Sequence, residues 1–266
     1  MYNELIIIIF GVFGACIGSF LNAVAFRAVN GLKWWGNERS RCDHCKKILS
    51  WYELIPIISF LIQFGRCRNC HKKISPMHLY AELICMAGSI IIYYKFKFST
   101  ALIFGLIIFF SSVLNSLTDI YSGDVFDLFA YVPGILGLLL RVSGGLNAFL
   151  DGLTGMAVGF VIFALIILLS RGGMGWGDAN FMAGAGGILG VRFILTAFYF
   201  GIMTGGIWAI ILIMLGHVKF GRGDSIALVP FLSIGIFLTL IYGAGFLKYL
   251  GLIFMNYKMF AVNWPF

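Results

Sequence analysis

The chain has 266 residues, of which 61% are hydrophobic and only 11% are charged, and its mean hydropathy is +0.97. These values exclude an ordinary soluble globular domain. The net charge of +8 raises the possibility of a nucleic-acid partner. The positions of the basic residues indicate membrane topology instead, so we predict an all-α polytopic membrane protein with no nucleic-acid partner.

Eight apolar runs follow one another along the chain, and a helix needs about 20 apolar residues to cross a bilayer. The runs are Leu5–Phe26, His78–Tyr94, Ser99–Leu117, Val125–Leu140, Ala148–Leu169, Asp178–Gly190, Phe193–Gly216 and Ile226–Leu247. We therefore predict about eight transmembrane helices, the first of them retained rather than cleaved as a signal. The sixth run is short and rich in glycine, so we expect other helices to shield it from lipid.

The basic residues separate by predicted loop. If the N-terminus lies outside, thirteen of the nineteen fall on the inner side: Arg27, Lys33, Arg39, Arg41, Lys46, Lys47, Arg66, Arg68, Lys72, Lys73, Arg171, Lys219 and Arg222. The other six are Lys95, Lys97, Arg141, Arg192, Lys248 and Lys258. Because inner loops carry the excess of lysine and arginine, the loop after the first helix is predicted to be cytoplasmic. This charge would also favour membrane lipids with anionic headgroups.

Residues 28–77 form the one polar, cysteine-bearing stretch and the only part able to fold as a small soluble subdomain. About fifty residues bury too little core for independent stability, so a metal or the membrane should help to hold this loop. No internal repeat is evident along the chain.

Four cysteines of this loop form two pairs, Cys42-x-x-Cys45 and Cys67-x-x-Cys70, with twenty-one residues between the pairs. Together they offer four thiolates to one tetrahedral zinc ion, which would be a structural site without an open position for water. A disulfide framework is the alternative, but a cytoplasmic loop keeps its thiols reduced. We therefore predict that the four cysteines bind zinc, with a histidine at position 44 or 71 as an alternative ligand.

Asp178 follows the glycine-rich stretch Gly175-Trp176-Gly177 and precedes an apolar run. A carboxylate at a membrane boundary is costly to keep and is a functional candidate by default. A side chain that caps the following helix is the alternative, and this motif alone supports both equally. Asp119 is predicted on the loop after the third helix, together with Asp124 and Asp127. By the predicted topology, Asp119 and Asp178 both face the cytoplasm.

Two carboxyl groups suit the hydrolysis of a peptide bond. One, ionised, takes a proton from water, while the other, protonated, donates to the carbonyl oxygen. The pair titrates as a unit, so the sequence does not say which aspartate holds the proton. Neither an HExxH metalloprotease motif nor a serine nucleophile elbow is present. Asp119 and Asp178 are therefore candidates for such a pair.

Further motifs lie along most of the chain. Beside the cysteine pairs, they are Gly18-Ser19-Phe20-Leu21-Asn22 with Arg27, Trp51-Tyr52-Glu53-Leu54-Ile55-Pro56-Ile57, Ala81-Glu82-Leu83, Asp119, Gly175-Trp176-Gly177-Asp178 and Pro230-Phe231-Leu232. Together they resemble the bacterial type IV prepilin peptidase family, a group of GxGD aspartic proteases, and the resemblance implies that Asp119 and Asp178 are the catalytic residues. Two positions depart from the family pattern: Asn180 stands where lysine is usual, and Phe126 where proline is frequent. Neither departure removes a proposed catalytic group.

The resemblance implies an enzyme of the bacterial cytoplasmic (inner) membrane. It would remove the short basic leader from type IV prepilins or pseudopilins, and then methylate the new N-terminal residue with S-adenosylmethionine. Glu53 and Glu82 are the predicted contacts to this cofactor or to the amine. Residues 1–97, with the cysteine loop, would serve methylation, and residues 98–266 would form the aspartic peptidase.

Two alternatives stay open at this point. One is a peptidase of the same family without methylation. The other is an ion-coupled or proton-coupled transporter, in which membrane aspartates carry cations; this reading leaves the cysteine loop and the matched motifs unexplained. The sequence identifies neither the particular pilin substrate nor the oligomeric state.

Overall fold

The computed structural model describes residues 2–35, 39–170, 174–215 and 227–251. The chain divides into two compact units, Met1–Lys95 and Phe96–Phe266. The inner-loop assignments of Arg171, Lys219 and Arg222, and the chain end from residue 252, lie outside the described residues.

The first unit contains two long apolar helices, α1 (Tyr2–Val29) and α3 (Met77–Phe96). The chain between them forms a 3₁₀ turn at Trp51–Leu54 and the short helix α2 (Ile58–Ile62). Arg27 lies in the last turn of α1, where a cation interacts favourably with the helix dipole.

Small residues bring α1 against α3. A Cβ atom on Gly18 would lie 2.5 Å from the carbonyl oxygen of Ala81, so the two backbones touch there. One turn further along α1, the buried Asn22 hydrogen-bonds His78 at 2.7 Å between Nδ2 and Nδ1. Gly18 and Asn22, four residues apart in the first-helix motif, therefore lie on the face of α1 that packs on the start of α3.

The second unit is built from six further helices in the described residues. They are α4 (Thr100–Ser122), α5 (Asp127–Arg141), α6 (Leu146–Leu169), α7 (Trp176–Leu189), α8 (Val191–Met214) and α9 (Val229–Tyr249). In the described part of the chain no strand forms, and only two isolated β-bridges occur, Arg41 with Ile48 and Arg66 with Lys73.

Seven of the described helices are long and apolar enough to cross a membrane: α1, α3, α4, α5 with the turn after it, α6, α8 and α9. The short α7 is the eighth apolar run. This agrees with the predicted all-α membrane fold of about eight helices. Eleven of the fourteen residues of α7 are buried, so other helices do shield it, as predicted.

Glycine contacts enclose α7 between α5 and α6. A Cβ atom on Gly184 would collide with the carbonyl oxygen of Ala130 on α5. On the other side, a Cβ atom on Gly159 of α6 would collide with the carbonyl oxygen of Met182. Helices approach this closely only where small residues line the contact, which explains the glycine-rich composition of α7.

Arg141 lies inside the second unit, although the charge count treated it as an outer-loop cation. It is 1% exposed, and its guanidinium donates to the carbonyl oxygen of Ile188 near the end of α7 at 2.9 Å and to that of Ala148 at 3.0 Å. It also forms an ion pair with Asp151 at 3.0 Å. The cation therefore satisfies the Ile188 carbonyl in the last turn of α7, which the helix cannot pair internally.

The predicted loop after the third helix is shorter than expected. α4 continues through Asp119 and ends at Gly123, whose left-handed backbone (φ 74°) closes the helix with a bond from its N–H to the Asp119 carbonyl. Asp127 begins α5 rather than lying on the loop. Glycine ends a helix in this way because it has no Cβ to clash in the left-handed region.

Candidate active site and metal centre

Asp119 lies one turn before the end of α4 and is 7% exposed. Its Oδ2 accepts a hydrogen bond of 3.0 Å from the backbone N–H of Val229, the first residue of α9. First-turn N–H groups have no partner inside their own helix, so α9 offers this donor to the carboxyl group. The contact joins the end of α4 to the beginning of α9.

Asp178 is the third residue of α7 and is 9% exposed. The N-cap position belongs to Gly175, and no side-chain cap bond forms there in the described residues. The helix-cap explanation of this carboxylate is therefore wrong. Gly177 has a packing role, because a Cβ atom there would lie 2.8 Å from the Cβ of Val125.

The fold brings Asp119 and Asp178 close enough for the charge of the first to act on the second. They are 59 positions apart in sequence and meet because the end of α4 packs near the beginning of α7. Two buried carboxyl groups at short range favour a shared proton. This is the arrangement that the hydrolysis of a peptide bond by two aspartates requires.

A second polar group lies next to Asp178. Asn180 donates from Nδ2 to Oδ1 of Asp127 at 2.6 Å and accepts from the hydroxyl of Tyr131 at its Oδ1 at 2.8 Å. In the sequence, Asn180 stands out only as a departure from the family pattern, and Tyr131 is not among the predicted site residues. One sequence signal for this contact is the spacing of Asp127 and Tyr131, which are four residues apart and share a face of α5.

The four cysteines of the loop converge on one point. Their sulfur atoms all lie within 4.8 Å of one another, with 3.9 Å between Cys42 and Cys70 and 4.0 Å between Cys45 and Cys67. A tetrahedral zinc ion with bonds of about 2.3 Å places its sulfur ligands about 3.8 Å apart. The donor set therefore fits zinc, and it needs neither neighbouring histidine as a ligand.

Two matching knuckles, residues 41–49 and 66–74, form this cluster. In each, the first cysteine N–H bonds a lysine carbonyl, Cys42 to Lys47 at 3.0 Å and Cys67 to Lys72 at 2.9 Å. A local repeat therefore exists, and the expectation of none was wrong. Its signal is the recurrence of Arg-Cys-x-x-Cys followed by basic residues, which the insertion of α2 between the copies obscures.

Local hydrogen bonds prepare some of these thiols for a metal. The backbone of Lys47 and the amide of Asn69 lower the pKa of Cys45 to about 6. Backbone N–H groups of Cys70 and Asn69 lower the pKa of Cys67. Burial raises the pKa of Cys42 to about 11, so a bound cation would have to displace that proton.

Glu53 and Glu82 lie on the wall of a 690 Å³ cavity in the first unit. Each is mostly buried and holds the chain around it: Glu53 accepts the N–H of Ser50 at 2.9 Å, and Glu82 accepts that of Ile57 at 2.6 Å. The lining also includes the basic residues Arg27, Lys33, Arg39, Arg41, Lys46, Lys72 and Lys73. The cavity has the volume of a small-molecule site and offers groups of both charge signs.

Comparison with known proteins identifies the family. Residues 12–96 match the bacterial peptidase A24 N-terminal domain, and residues 104–210 match the type IV leader peptidase family. A Bacillus subtilis protein named prepilin leader peptidase/N-methyltransferase is 30% identical over 243 residues, which cover 90% of this chain and 95% of that protein. The chain belongs to the type IV leader peptidase family.

Other members of this family are similar over much of their length. A Myxococcus xanthus protein of the same name is 31% identical over 219 residues, covering 80% of this chain and 65% of that protein. A Vibrio cholerae protein of the same name is 28% identical over 209 residues, which cover 71% of this chain and 79% of that protein. No solved structure matches the chain.

The two family matches divide the candidate site residues between them. The four cysteines, Glu53 and Glu82 fall within the A24 N-terminal match, and Asp119 and Asp178 fall within the leader peptidase match. The chain is thus a multi-pass membrane enzyme of the leader peptidase family.

Proposed function

We propose that this enzyme removes the short basic leader from type IV prepilins or pseudopilins and then N-methylates the new N-terminal residue. The observation that carries the proposal is the pairing of two buried aspartates, Asp119 and Asp178, on two helices of the second unit. The names of the similar Bacillus, Myxococcus and Vibrio proteins support both activities.

In the proposed cleavage step, the ionised carboxyl group takes a proton from water as the water oxygen attacks the scissile carbonyl. The protonated carboxyl group donates to the carbonyl oxygen, which gives a tetrahedral diol. The carboxyl group that took the proton from water then passes it to the amine nitrogen as the C–N bond breaks. A hydroxyl of the diol returns a proton to the other carboxylate, and the leader departs with a new carboxyl terminus. Asp119, held by the Val229 N–H, and Asp178, fixed on the enclosed α7, would be oriented for this exchange. Burial excludes competing water from the pair.

In the proposed methylation step, the cavity of the first unit would hold S-adenosylmethionine, which supplies an electrophilic methyl group. The basic wall would attract the cofactor carboxylate, while Glu53 and Glu82 would face the cofactor or the incoming amine. Either carboxylate is able to hold that amine or accept the proton it must lose before it attacks.

Zinc would hold the cysteine loop together in this scheme. Four thiolates complete a tetrahedral shell and leave no open position for a catalytic water, so the metal is assigned a structural role. The cluster is part of the same unit as the cavity, and Cys42 and Cys67 also line that cavity. Loss of the metal should therefore disturb the cavity wall.

We place the enzyme in the bacterial cytoplasmic membrane with its N-terminus outside. The cysteine loop and the end of α4 then face the cytoplasm, because the inner loops carry most of the lysine and arginine. A prepilin helix lying in the surrounding lipid would present its scissile bond at the same boundary.

The experiment that tests both activities is a single incubation. The purified enzyme in liposomes is mixed with a candidate prepilin and S-adenosylmethionine, and the mature N-terminus is read by mass spectrometry. The proposal expects a shortened chain that carries one additional methyl group. A shortened chain without the methyl group would remove the transferase activity, and an intact precursor with every candidate pilin would contradict the proposal as a whole.

A further inference from the structure

Asn180 joins the beginning of α7 to the beginning of α5. It lies two residues after Asp178 and is half-buried. Its amide NH₂ donates to Asp127 at 2.6 Å, and its amide oxygen accepts from the hydroxyl of Tyr131 at 2.8 Å. Asp127 is the first residue of α5, and Tyr131 lies one turn further on the same face. One side chain on α7 thus bonds two successive turns of α5.

These bonds complete a contact that glycine packing begins. Gly184, one turn further along α7, meets the backbone of Ala130, and Gly177, just before Asp178, meets Val125. Glycine contacts set how closely two helices approach, but van der Waals surfaces resist sliding and rotation only weakly. The hydrogen bonds of Asn180 are directional, so they fix the rotation of the first turn of α7 about the helix axis, which the glycine contacts do not.

We propose that Asn180 is a positioning residue of the peptidase, which holds Asp178 in register with Asp119 through its bonds to Asp127 and Tyr131. This inference rests on the proposed function, since it assigns a task only if Asp178 acts in cleavage. Asn180 does not touch the reacting atoms in this scheme. Its contribution is geometric, and a displacement of about 1 Å at a reacting group can reduce a rate about a hundredfold.

The amide suits this position because it offers a donor and an acceptor together. A carboxylate at 180 would still accept from Tyr131 but would face the carboxylate of Asp127. A leucine of similar size would lose both bonds. The expected loss of kcat in each variant therefore depends on which hydrogen bonds the new side chain can make and not on its volume.

The first test compares Asn180→Leu with Asn147→Leu, which makes the same chemical change at an exposed position of α6. Cleavage of a prepilin by enzyme in liposomes is followed over a range of substrate concentrations. We expect Asn180→Leu to lower kcat about tenfold or more with little change in KM, and Asn147→Leu to keep both values. An Asn180→Leu enzyme with the wild-type kcat would overturn the positioning role.

The second test exchanges the two partners. Asn180→Asp alone should lower kcat, because two carboxylates then face each other. Adding Asp127→Asn restores a donor opposite the new acceptor, so the double variant should recover most of the lost kcat, whereas Asp127→Asn alone should lose less than Asn180→Leu. A double variant no better than Asn180→Asp would contradict the proposal.

The outcomes separate this inference from the function on which it rests. If the wild type cleaves and the exchange does not restore kcat, only the positioning role fails. If the wild type cleaves no prepilin, both fail. Should Asn180→Leu not accumulate in the membrane, the exchange pair decides alone, because both of its members conserve size and polarity.

Discussion

Asp119 and Asp178 are each less than a tenth exposed, and no folded protein keeps two carboxyl groups in such surroundings without compensation. Asp119 is compensated by the N–H of Val229 at the start of α9. Asp178 has the charge of Asp119 nearby, which favours one shared proton over two negative charges. Burying these two carboxyl groups lowers the stability of the fold, so contacts elsewhere in the second unit must stabilise the helices that carry them.

Arg141 makes such contacts. Arg141→Met would leave two backbone carbonyls and Asp151 without their cation, so we expect a loss of stability on the order of 3 kcal/mol. The thermal unfolding midpoint of the detergent-solubilised protein measures this loss. Arg192→Met makes the same change at an exposed position of α8 and should leave the midpoint unchanged. Equal midpoints for the two variants would show that the contacts of Arg141, including its bond to Ile188, do not support α7.

At the scale of elements, α7 is the part on which the site depends. It is too short to cross a bilayer alone, and it is stabilised by its contacts with α5 and α6, where backbone meets backbone. The bonds of Asn180 near one end and of Arg141 to Ile188 at the other fix its position along its axis.

The packing of α7 is tested by Gly184→Ala. The added methyl group collides with the carbonyl oxygen of Ala130, so the helices must separate, at a cost of about 3 kcal/mol. Gly206→Ala on α8 is the matched control, because a Cβ atom there meets nothing within 4 Å. We expect the first variant to lose cleavage and thermal stability, and the second to stay within about 1 kcal/mol of the wild type. A stable, active Gly184→Ala enzyme would contradict the described contact.

The two cysteine knuckles form the second structural element with a testable role. Cys42→Ser combined with Cys67→Ser removes one sulfur from each pair, and we expect bound zinc to fall from about one ion per chain to almost none. Methylation should fall further than cleavage, because the knuckles line the cavity of the first unit. Metal analysis and mass spectrometry of the product measure the two effects.

Cys16→Ser is the control for that experiment, since Cys16 lies on α1 away from the sulfur cluster. It should retain the metal. A purified wild-type enzyme without zinc would show that the cluster serves another purpose.

At the scale of the whole molecule, each compact unit carries one candidate catalytic site, and the first unit also carries the cysteine cluster. The proposed cleavage in the second unit produces a new N-terminal amine, and this amine is the group that methylation in the first unit would consume. The chemistry therefore orders the two reactions, and variants in one unit should separate them.

The membrane fold could be predicted from the sequence because bilayer thickness imposes a length on every apolar run. The runs predicted the described helices to within a few residues, and the composition of α7 predicted its enclosure. The cysteine cluster was predictable from spacing, since two Cys-x-x-Cys pairs supply the four ligands of a tetrahedral ion. Bilayer thickness and metal coordination both constrain residues that are close in sequence, so each leaves a pattern that the sequence shows.

The contacts between helices were not predictable in this way. The burial of Arg141 and the bonds of Asn180 to Tyr131 depend on the rotation and register of two helices, which neither helix specifies alone. Family resemblance paired Asp119 with Asp178, whereas the residues themselves left a helix cap and a catalytic group equally supported. Only the fold showed that Gly175 occupies the cap position.

The central claim is that Asp119 and Asp178 together hydrolyse the leader peptide bond. The most direct measurement is prepilin cleavage by Asp119→Asn and Asp178→Asn enzymes in liposomes, quantified by mass spectrometry after confirming wild-type expression and unfolding midpoint. Because neither amide is able to act as an acid or a base, we expect each substitution to reduce cleavage by about 10³-fold or more. Cleavage by either variant within about tenfold of the wild-type rate would contradict the account.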